Sequence, residues 1–371
     1  MNRDNAPHSR MDAYPGYAVH QISPYLGKLR PSLARGLILS YSKVGDLIWD
    51  PFCGSGTVPY ECGLLSRHSV AADINPYACA LTKAKLHAPS NKDAPMHQLY
   101  LASKALRGTK KGSSLPVPNW VQRFFHRQTL REALVLTREF GAMRQYFNLG
   151  CLLGILHHQR PGFLSYPASH LVPYLRDHLY PREQYPEAYE YRDPIPRLEA
   201  KITRVLNFPP PPRRSKYTVL RKSVFERYLA PGSVDGVITS PPYMDALDYA
   251  RDNRLRLWFL GVDDYAKIEA KEIRRIRTFE MEVMPVLRML ARALKSGGNC
   301  VLILGDVGRS TKRRDTAEIV CGLVADHLSE FVLQDRWTEM IPSNRRARRN
   351  GAATKHETVL VFRRTKRGCH A

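Results

Sequence analysis

Residues 46–57 read DLIWDPFCGSGT, and this stretch decides the fold class. The apolar run DLIW predicts a buried strand, and Gly54 and Gly56 in the turn that follows let the backbone bend sharply and approach a ligand closely. The pattern after the turn predicts a helix from Val58 to Leu65. A strand, a glycine-rich turn and a helix in this order are typical of the first unit of a doubly wound α/β sheet.

Strands and helices alternate on both sides of this unit. Residues 30–43 repeat apolar positions at helical spacing, residues 69–74 predict a second strand, and residues 76–87 predict a helix with proline in its first turn. The glycines at 297 and 298 are predicted to end a helix. The C-terminal part predicts strands at 217–220, 234–239 and 300–304, helices at 253–260, 280–294 and 317–328, and an antiparallel strand pair at 332–340 and 358–362.

Residues 89–212 interrupt this alternation. They predict helices at 97–106, 120–146 and 196–206, separated by sequence rich in tyrosine and proline and ending in four consecutive prolines. We therefore expect three parts. Residues 1–18 form a flexible tail, residues 19–88 and 213–371 form the α/β domain, and residues 89–212 form an inserted, mostly helical subdomain.

The composition indicates a nucleic-acid partner. Among 371 residues, 57 lysines and arginines exceed 34 acidic residues, giving a formal net charge of +23, while 43% hydrophobic residues supply a core. A basic excess of this size indicates a polyanionic partner, and its spread along the chain, with no lipidation motif, favours nucleic acid over a membrane surface. The alternative is a protein that is merely basic.

No signal region or membrane-spanning run is recognised, and the seven cysteines lack zinc-site spacing. The paired His157 and His158 have no further ligands at useful spacing, so no metal site is predicted. We expect a cytoplasmic protein with reduced thiols and no membrane partner.

The glycine-rich turn favours an adenosyl ligand that carries an ammonium group. It lacks the third glycine of the dinucleotide fingerprint and the lysine of a phosphate-binding loop. Asp50, at the end of the strand, can hold a cationic group. Asp73 closes the next strand, where a carboxylate can accept hydrogen bonds from ribose hydroxyls. The alternative for Asp73 is an acid that stabilises the N-terminus of the helix beginning at Pro76.

A second motif, Ser240-Pro241-Pro242-Tyr243, follows the predicted strand at 234–239. Two prolines make a rigid turn whose carbonyls, with the serine hydroxyl, can accept hydrogen bonds from an amino group and direct its lone pair. The tyrosine ring offers a stacking face for a flipped-out base. The alternative is an ordinary turn.

Together, DPFCGSGT and TSPPY resemble the motifs of DNA amino-methyltransferases, which modify cytosine N4 or adenine N6. The resemblance implies a Rossmann-like sheet, S-adenosyl-L-methionine as cofactor, and Ser240, Pro241, Pro242 and Tyr243 as the catalytic residues. The stretch His20–Ile38 is similar to the family's upstream cofactor motif. The implied cofactor-binding residues are Tyr25, Lys28, Asp50, Pro51, Phe52, Cys53, Gly54, Ser55, Gly56, Thr57 and Asp73.

The sequence departs from the family pattern in ways that bear on the base and on the cofactor. The insertion between the two motifs corresponds to the arrangement with a target-recognition region there, and most such members carry Asp or Asn before Pro-Pro. Ser240 is more typical of cytosine-N4 enzymes, so cytosine N4 is favoured over adenine N6. No acid follows the third strand to contact the cofactor's adenine, and Lys222 and Ser223 stand near its place. No Pro-Cys pair occurs, which argues against carbon-5 cytosine methylation.

Arginine clusters are expected to contact nucleic-acid phosphates, with a solvated surface loop as the alternative. An RNA base amino-methyltransferase is the second reading, and a non-catalytic nucleic-acid-binding protein on the same fold is the third. A cognate restriction endonuclease is a partner that the resemblance allows, and the sequence does not define an oligomeric state. The candidate nucleic-acid-binding residues are Arg251, Arg254, Arg345, Arg346, Arg348 and Arg349.

Overall fold

The computed structural model describes residues 14–108, 117–169, 172–242, 248–270, 279–305, 315–341 and 356–366. These residues contain one seven-stranded sheet in the order β3-β2-β1-β4-β5-β7-β6. Strands β1 to β5 pair in parallel, and β7 runs antiparallel to both β5 and β6. The strands are β1 (Leu47–Asp50), β2 (His68–Ala72), β3 (Tyr217–Leu220), β4 (Val234–Thr239), β5 (Leu294–Gly305), β6 (Phe331–Met340) and β7 (His356–Arg364).

The helices of the described residues alternate with these strands and also fill the interruption between β2 and β3. They are α1 (Pro31–Tyr41), α2 (Thr57–Leu64), α3 (Pro76–Leu86), α4 (Asp93–Gly108), α5 (Asn119–Gln122), α6 (Arg127–Ala142), α7 (Tyr146–Gly154), α8 (Pro194–Val205), α9 (Tyr249–Asp252), α10 (Arg254–Phe259), α11 (Ala266–Glu269), α12 (Phe279–Ala293) and α13 (Thr316–His327). None of these helices is long and apolar enough to cross a membrane.

Two hydrophobic cores lie on opposite faces of the sheet. Because successive side chains of a strand point to opposite faces, Ile48 and Ile238 pack in one core with α1 and α2. Their neighbours Trp49 and Val237 pack in the other core with α12 and α13. Helices on both faces of a mostly parallel sheet define the doubly wound architecture, so the predicted Rossmann-like α/β fold is confirmed.

The described residues divide into two compact units, which we call the sheet unit and the helical unit. The sheet unit contains the described residues of 26–82, 213–249 and 266–371, with all seven strands. The helical unit contains those of 1–25, 83–212 and 250–265. The predicted insertion, 89–212, belongs to the helical unit, which also takes in flanking residues and α10. Residues 14–18 of the predicted tail are also in this unit, where the Gly16 N–H donates to the Phe208 carbonyl at 2.9 Å.

Two local predictions differ from the structure. The single helix predicted over 120–146 is three helices, α5, α6 and the start of α7. His126 caps α6 by accepting the Gln128 N–H at 3.2 Å, and Arg144 takes φ 54°, a left-handed value that ends the helix. The helix before the glycines at 297 and 298 ends earlier than predicted, at Ala293. Those glycines lie within β5, beside an irregularity in its pairing with β4.

The helical unit depends on a close approach between α7 and Ile22. A Cβ added at Gly154 would overlap the Ile22 carbonyl oxygen, and one added at Gly150 would overlap the Ala84 side chain and approach Ile22. The N-terminal segment is held there as well, since the Lys201 ammonium donates to the Gln21 carbonyl at 3.0 Å. Burial lowers the pKa of Lys201 to about 8.

We expect Gly154→Ala to lower the free energy of unfolding by about 1–3 kcal/mol, because the added methyl group meets backbone that cannot rotate away. Gly141→Ala is the matched control. Gly141 lies in helix α6 with no atom within 4 Å of an added Cβ, so alanine should stabilise by roughly 0.5–1 kcal/mol. Urea denaturation followed by circular dichroism measures both. Equal stability of the two variants would contradict the close approach at Ile22.

Candidate cofactor and catalytic site

The candidate site lies where the sheet reverses its strand order. Strand β1 is flanked by β2 on one side and by β4 on the other, and β4 comes from the part of the chain beyond the interruption. In open α/β sheets, ligands bind at the carboxyl ends of the strands at such a reversal. The predicted glycine-rich turn follows β1, Asp73 follows β2 and Ser240 follows β4, so the fold brings all three motifs to this edge.

The turn after β1 has a backbone that only glycine adopts easily. Gly54 has φ 45° and Gly56 has φ 73°, both left-handed. A Cβ on Gly56 would lie 2.6–2.9 Å from Thr82 atoms, including its backbone Cα. The Gly54 N–H donates to the Asp73 carboxylate at 2.9 Å, which ties the turn to the end of β2.

Asp50 is a buried carboxylate that joins the ends of β1 and β4. Its Oδ1 accepts the Thr239 hydroxyl at 2.6 Å and the Phe52 N–H at 3.3 Å. Its side chain is buried, and burial raises its pKa to about 7 although both hydrogen bonds act in the opposite direction. The charged form of the Asp50 carboxylate is therefore unfavourable in the free protein, and a bound cation would stabilise it. This property suits a site for an ammonium group.

Asp73 is a half-buried residue whose carboxylate accepts a hydrogen bond at each oxygen. Oδ2 accepts the Gly54 N–H, and Oδ1 accepts the Asn75 N–H at 2.8 Å. Burial raises its pKa to about 6. Two backbone donors fix the carboxylate in place, so it can accept hydroxyl hydrogen bonds without moving. That geometry fits the ribose role implied by the family resemblance.

Most other residues of the turn are buried. Cys53 lies 3.5 Å from the Thr82 hydroxyl, and burial raises the pKa of its thiol, so it packs rather than reacts. The Ser55 and Thr57 hydroxyls lie 3.2 Å apart, within hydrogen-bonding distance. Pro51 is buried and Phe52 packs partly against the core formed with α12.

The two residues of the upstream motif fall in different units. Tyr25 is half-buried and belongs to the helical unit, whereas Lys28 is half-buried and belongs to the sheet unit. Their assignment to the cofactor therefore stays a prediction.

Ser240 follows β4 with its proton already engaged. The hydroxyl donates to the Ile303 carbonyl on β5 at 3.1 Å. Its oxygen lone pairs then have only an accepting role left toward a ligand. Pro241 is buried and Pro242 is half-buried, as expected for a rigid turn. Tyr243 lies outside the described residues, so its stacking role stays a prediction.

Sequence reasoning missed three supporting residues: Thr239, Thr82 and Asn75. Thr239 precedes Ser240 in the TSPPY motif, and its hydroxyl donates to Asp50. Its position at the end of a predicted strand was the sequence feature that could have indicated a role in the site. Asn75 caps α3 by accepting the Tyr77 N–H at 2.9 Å. Its buried Nδ2 has no acceptor within the described part of the chain.

The residues present fit S-adenosylmethionine. Asp50 supplies a buried counter-charge for an ammonium group, and Asp73 supplies fixed acceptors for ribose hydroxyls. The left-handed glycines remove side chains from the turn. The buried Nδ2 of Asn75 is a donor beside Asp73, and an adenosyl ligand is rich in acceptors. No group of three metal-ligating side chains occurs among the residues the structure describes.

Beyond β3, the Glu226 carboxylate lies in a local turn with Lys222 and Ser223. It accepts the Ser223 N–H at 2.9 Å and pairs with the Lys222 ammonium at 2.5 Å. Both of its oxygens are thus engaged within this turn.

The predicted phosphate-binding arginines divide into two groups. Arg254 is half-buried in the helical unit, where it donates to the carbonyls of Pro173 at 2.6 Å and Arg251 at 3.3 Å. Arg251 is exposed in the same unit. The remaining candidates lie outside the described residues: Arg345, Arg346, Arg348 and Arg349.

One segment of the chain matches a known family model. Residues 21–114, about a quarter of the chain, match the model of the UPF0020 family, described as an RMKL-like methyltransferase domain. This segment contains the complete glycine-rich turn and Asp73. This segment is thus similar to a methyltransferase domain, and the match together with the fold indicates S-adenosylmethionine as the cofactor.

Short stretches of the chain are similar to three characterised methyltransferases. A stretch of 68 residues, 18% of this chain and 13% of the relative, is 41% identical to type II methyltransferase M.MjaII of Methanocaldococcus jannaschii. A stretch of 60 residues, 16% of this chain and 19% of the relative, is 37% identical to type II methyltransferase M.HpaI of Haemophilus parainfluenzae. A stretch of 52 residues, 14% of this chain and 16% of the relative, is 48% identical to the tRNA (guanine(10)-N2)-dimethyltransferase of Methanothermobacter thermautotrophicus. The chain thus matches less than a fifth of each relative's length.

Proposed function

We propose that this protein transfers a methyl group from S-adenosylmethionine to an exocyclic amino group of a nucleic-acid base, with DNA as substrate and cytosine N4 favoured over adenine N6. The observation that carries the proposal is the state of Ser240. Its proton is held by the Ile303 carbonyl, so its oxygen can only accept from an incoming amino group. It lies at the end of β4, directly after the threonine that bonds Asp50.

The reaction needs positioning rather than a covalent nucleophile. Bound S-adenosylmethionine would supply an electrophilic methyl group, with its sulfur keeping the electron pair of the S–C bond that breaks as the N–C bond forms. Ser240 would accept one amino hydrogen and so turn the nitrogen lone pair toward that methyl, and the nitrogen would then lose a proton to solvent. Alignment of the reacting atoms supplies most of the rate acceleration.

One observation supports DNA as the substrate: two of the similar stretches belong to type II methyltransferases. The net charge of +23 suits either nucleic acid, since both are polyanions. A cognate restriction endonuclease, which the family resemblance allows, is part of the same proposal. Its presence is a separate question from the chemistry of the site.

RNA is the second candidate substrate, and one observation favours it. The stretch with the highest identity of the three, 48%, belongs to a methyltransferase that acts on a guanine amino group in tRNA. The same acceptor chemistry at Ser240 serves an amino group of either nucleic acid, so the substrate has to be distinguished by product analysis.

The test incubates the full chain with tritiated S-adenosylmethionine and either unmethylated DNA or total RNA, followed by digestion and mass spectrometry of the labelled nucleosides. Labelled N4-methylcytosine from DNA is the expected result, and N6-methyladenine would correct the base. Label confined to RNA would overturn DNA as the substrate. The absence of label in both, with measurable cofactor binding, would overturn the catalytic proposal.

We expect Ser240→Ala to lower kcat by roughly 10- to 100-fold while leaving the Kd for S-adenosylmethionine within about twofold, because one hydrogen bond to the reacting amino group is lost. Ser215→Ala is the control. The Ser215 hydroxyl also donates to a backbone carbonyl, that of Gly63 at 3.5 Å, but it lies before β3. Single-turnover methyl transfer measures the effect. Unchanged kcat in Ser240→Ala would remove Ser240 from the mechanism.

A further inference from the structure

The helical unit contains an open cleft that includes none of the cofactor or catalytic motif residues. Its volume is about 500 Å³, within the range of about 300–1,000 Å³ for ligand pockets. Four aromatic side chains line it: Trp120, Phe124, Tyr174 and Tyr265. Tyr174 is 51% exposed, so much of this large side chain is open to solvent. Trp120 and Tyr265 are half-buried. Partly exposed aromatic side chains gathered in a cleft are typical of a binding site.

Charged groups of both signs surround these rings. Arg123 and Arg254 line the cleft, as do Asp177 and Asp263. Arg123 is exposed at the C-terminal end of α5, where its guanidinium can reach a phosphate. The two carboxylates are also exposed and act as hydrogen-bond acceptors.

Arg254 lines the cleft and also positions one of its aromatic rings. Its guanidinium lies 4.9 Å from the centroid of the Tyr174 ring and donates to the carbonyls of Pro173 and Arg251. At this distance the guanidinium and the ring attract each other through a cation–π interaction. Arg254 therefore joins α10 to the segment that carries Tyr174 and fixes the ring that an incoming group would meet.

We propose that this cleft binds a nucleotide of the nucleic-acid substrate other than the target base. The base stacks on Tyr174 or Trp120, its N–H groups donate to Asp177 or Asp263, and its phosphate pairs with Arg123. Arg254 is a positioning residue for Tyr174. The inference rests on the proposed function to the extent that the substrate is nucleic acid. It assigns to the helical unit a site that binds the substrate strand outside the target base.

The combination of side chains favours a nucleotide over other ligands. Aromatic rings beside arginines are the usual platform for unpaired bases, since every base has a stacking face and a phosphate nearby. Carboxylates accept from base amino groups, as in recognition of cytosine N4. A wholly apolar ligand would leave two arginines and two aspartates without use. A peptide partner is the rival occupant.

The test measures the Kd of the full chain for short, fluorescein-labelled single-stranded DNA and RNA of random sequence by fluorescence anisotropy. We expect Tyr174→Ala and Trp120→Ala each to weaken binding by roughly 5- to 150-fold, the loss that removal of one base–aromatic stack gives. Tyr174→Phe keeps the ring and should bind within about twofold of the unsubstituted protein. The Kd for S-adenosylmethionine should stay unchanged in all three.

Tyr100→Ala is the matched control. Tyr100 lies on α4 in the same unit, is 57% exposed, and has the Lys104 ammonium 4.6 Å from its ring centroid, but it does not line the cleft. Its loss should leave oligonucleotide binding unchanged. Equal loss in Tyr100→Ala would mean a general surface effect and would overturn the cleft.

Failure of the cleft and failure of the proposed reaction give different results. If both alanine cleft variants bind oligonucleotides normally while methyl transfer proceeds, the cleft assignment is overturned and the reaction stands. If the variants lose oligonucleotide binding but the unsubstituted protein, with measurable cofactor binding, forms no labelled nucleoside, the cleft stands and the reaction is overturned.

Discussion

Gly56→Ala is expected to weaken S-adenosylmethionine binding by at least about 100-fold and to lower the free energy of unfolding by roughly 2–4 kcal/mol. Two costs combine at this position. An alanine at φ 73° is strained, and its Cβ would approach the Thr82 Cα to 2.8 Å. Helix α3 cannot yield at a backbone atom, so the turn itself must move. Asp73 is then no longer held by Gly54, and the cofactor site loses its geometry.

Gly45→Ala separates the two costs. Gly45 has φ 86° but an added Cβ there would meet no atom within 4 Å, so alanine pays only the backbone strain of about 1 kcal/mol. Isothermal titration calorimetry measures cofactor affinity, and urea denaturation measures stability. We expect Gly45→Ala to bind the cofactor normally. If Gly56→Ala also binds normally, the turn does not cradle the cofactor.

The central strands β1, β2 and β4 were predictable because each is a short, mostly buried run with its own boundaries. The glycine-rich turn after β1 and the TSPPY motif after β4 also predicted which edge of the sheet carries the site. Parallel strands place their carboxyl ends together, so three motifs that each follow such a strand must converge. This part of the site depends on local pattern and on one rule of sheet geometry.

Contacts between distant residues were not predictable in this way. Thr239 and Asp50 are 189 residues apart, and nothing in either segment specifies that the hydroxyl bonds the carboxylate. The cleft likewise draws Trp120, Tyr174 and Arg254 from three separate segments. Such arrangements arise from tertiary packing, which hydrophobic periodicity does not encode.

The break in the predicted helix over 120–146 has a different cause. Arg144 adopts a left-handed φ, which an arginine in the sequence does not predict because non-glycine residues rarely adopt this conformation. Backbone conformation of this kind is imposed by the packing of α6 and α7 within the helical unit. Sequence periodicity continued through the break because both helices bury apolar faces.

Asp50→Asn is expected to stabilise the cofactor-free protein at pH 8, by about 1–4 kcal/mol, and to weaken S-adenosylmethionine binding by roughly 10- to 100-fold. Burial raises the pKa of Asp50 to about 7, from 3.8 for an ordinary aspartate. Between these values the folded protein holds a proton that the unfolded chain has released. The free energy of unfolding therefore falls as pH rises from about 4 to about 7, and asparagine removes this loss.

The substitution keeps the local hydrogen bonds, which makes the electrostatic effect separable. Both the Thr239 hydroxyl and the Phe52 N–H donate to the same oxygen, Oδ1, and the asparagine amide oxygen can accept both. The cofactor's ammonium group, however, loses its counter-charge. Urea denaturation at pH 4 and pH 8 should show similar stability for the two proteins at pH 4 and a gap at pH 8.

Asp235→Asn provides a control of opposite sign. Burial acts to raise the pKa of Asp235. Hydrogen bonds from the Leu47 N–H and the Lys295 ammonium nevertheless hold this pKa below its ordinary value. Its stabilisation is present at neutral pH and is lost as pH falls through that lowered pKa, so asparagine should cost stability at pH 8 and little in strong acid. If Asp50→Asn instead behaves like Asp235→Asn, the Asp50 carboxylate is already compensated in the free protein. It would then be a structural tie between β1 and β4 rather than a charge held ready for the cofactor.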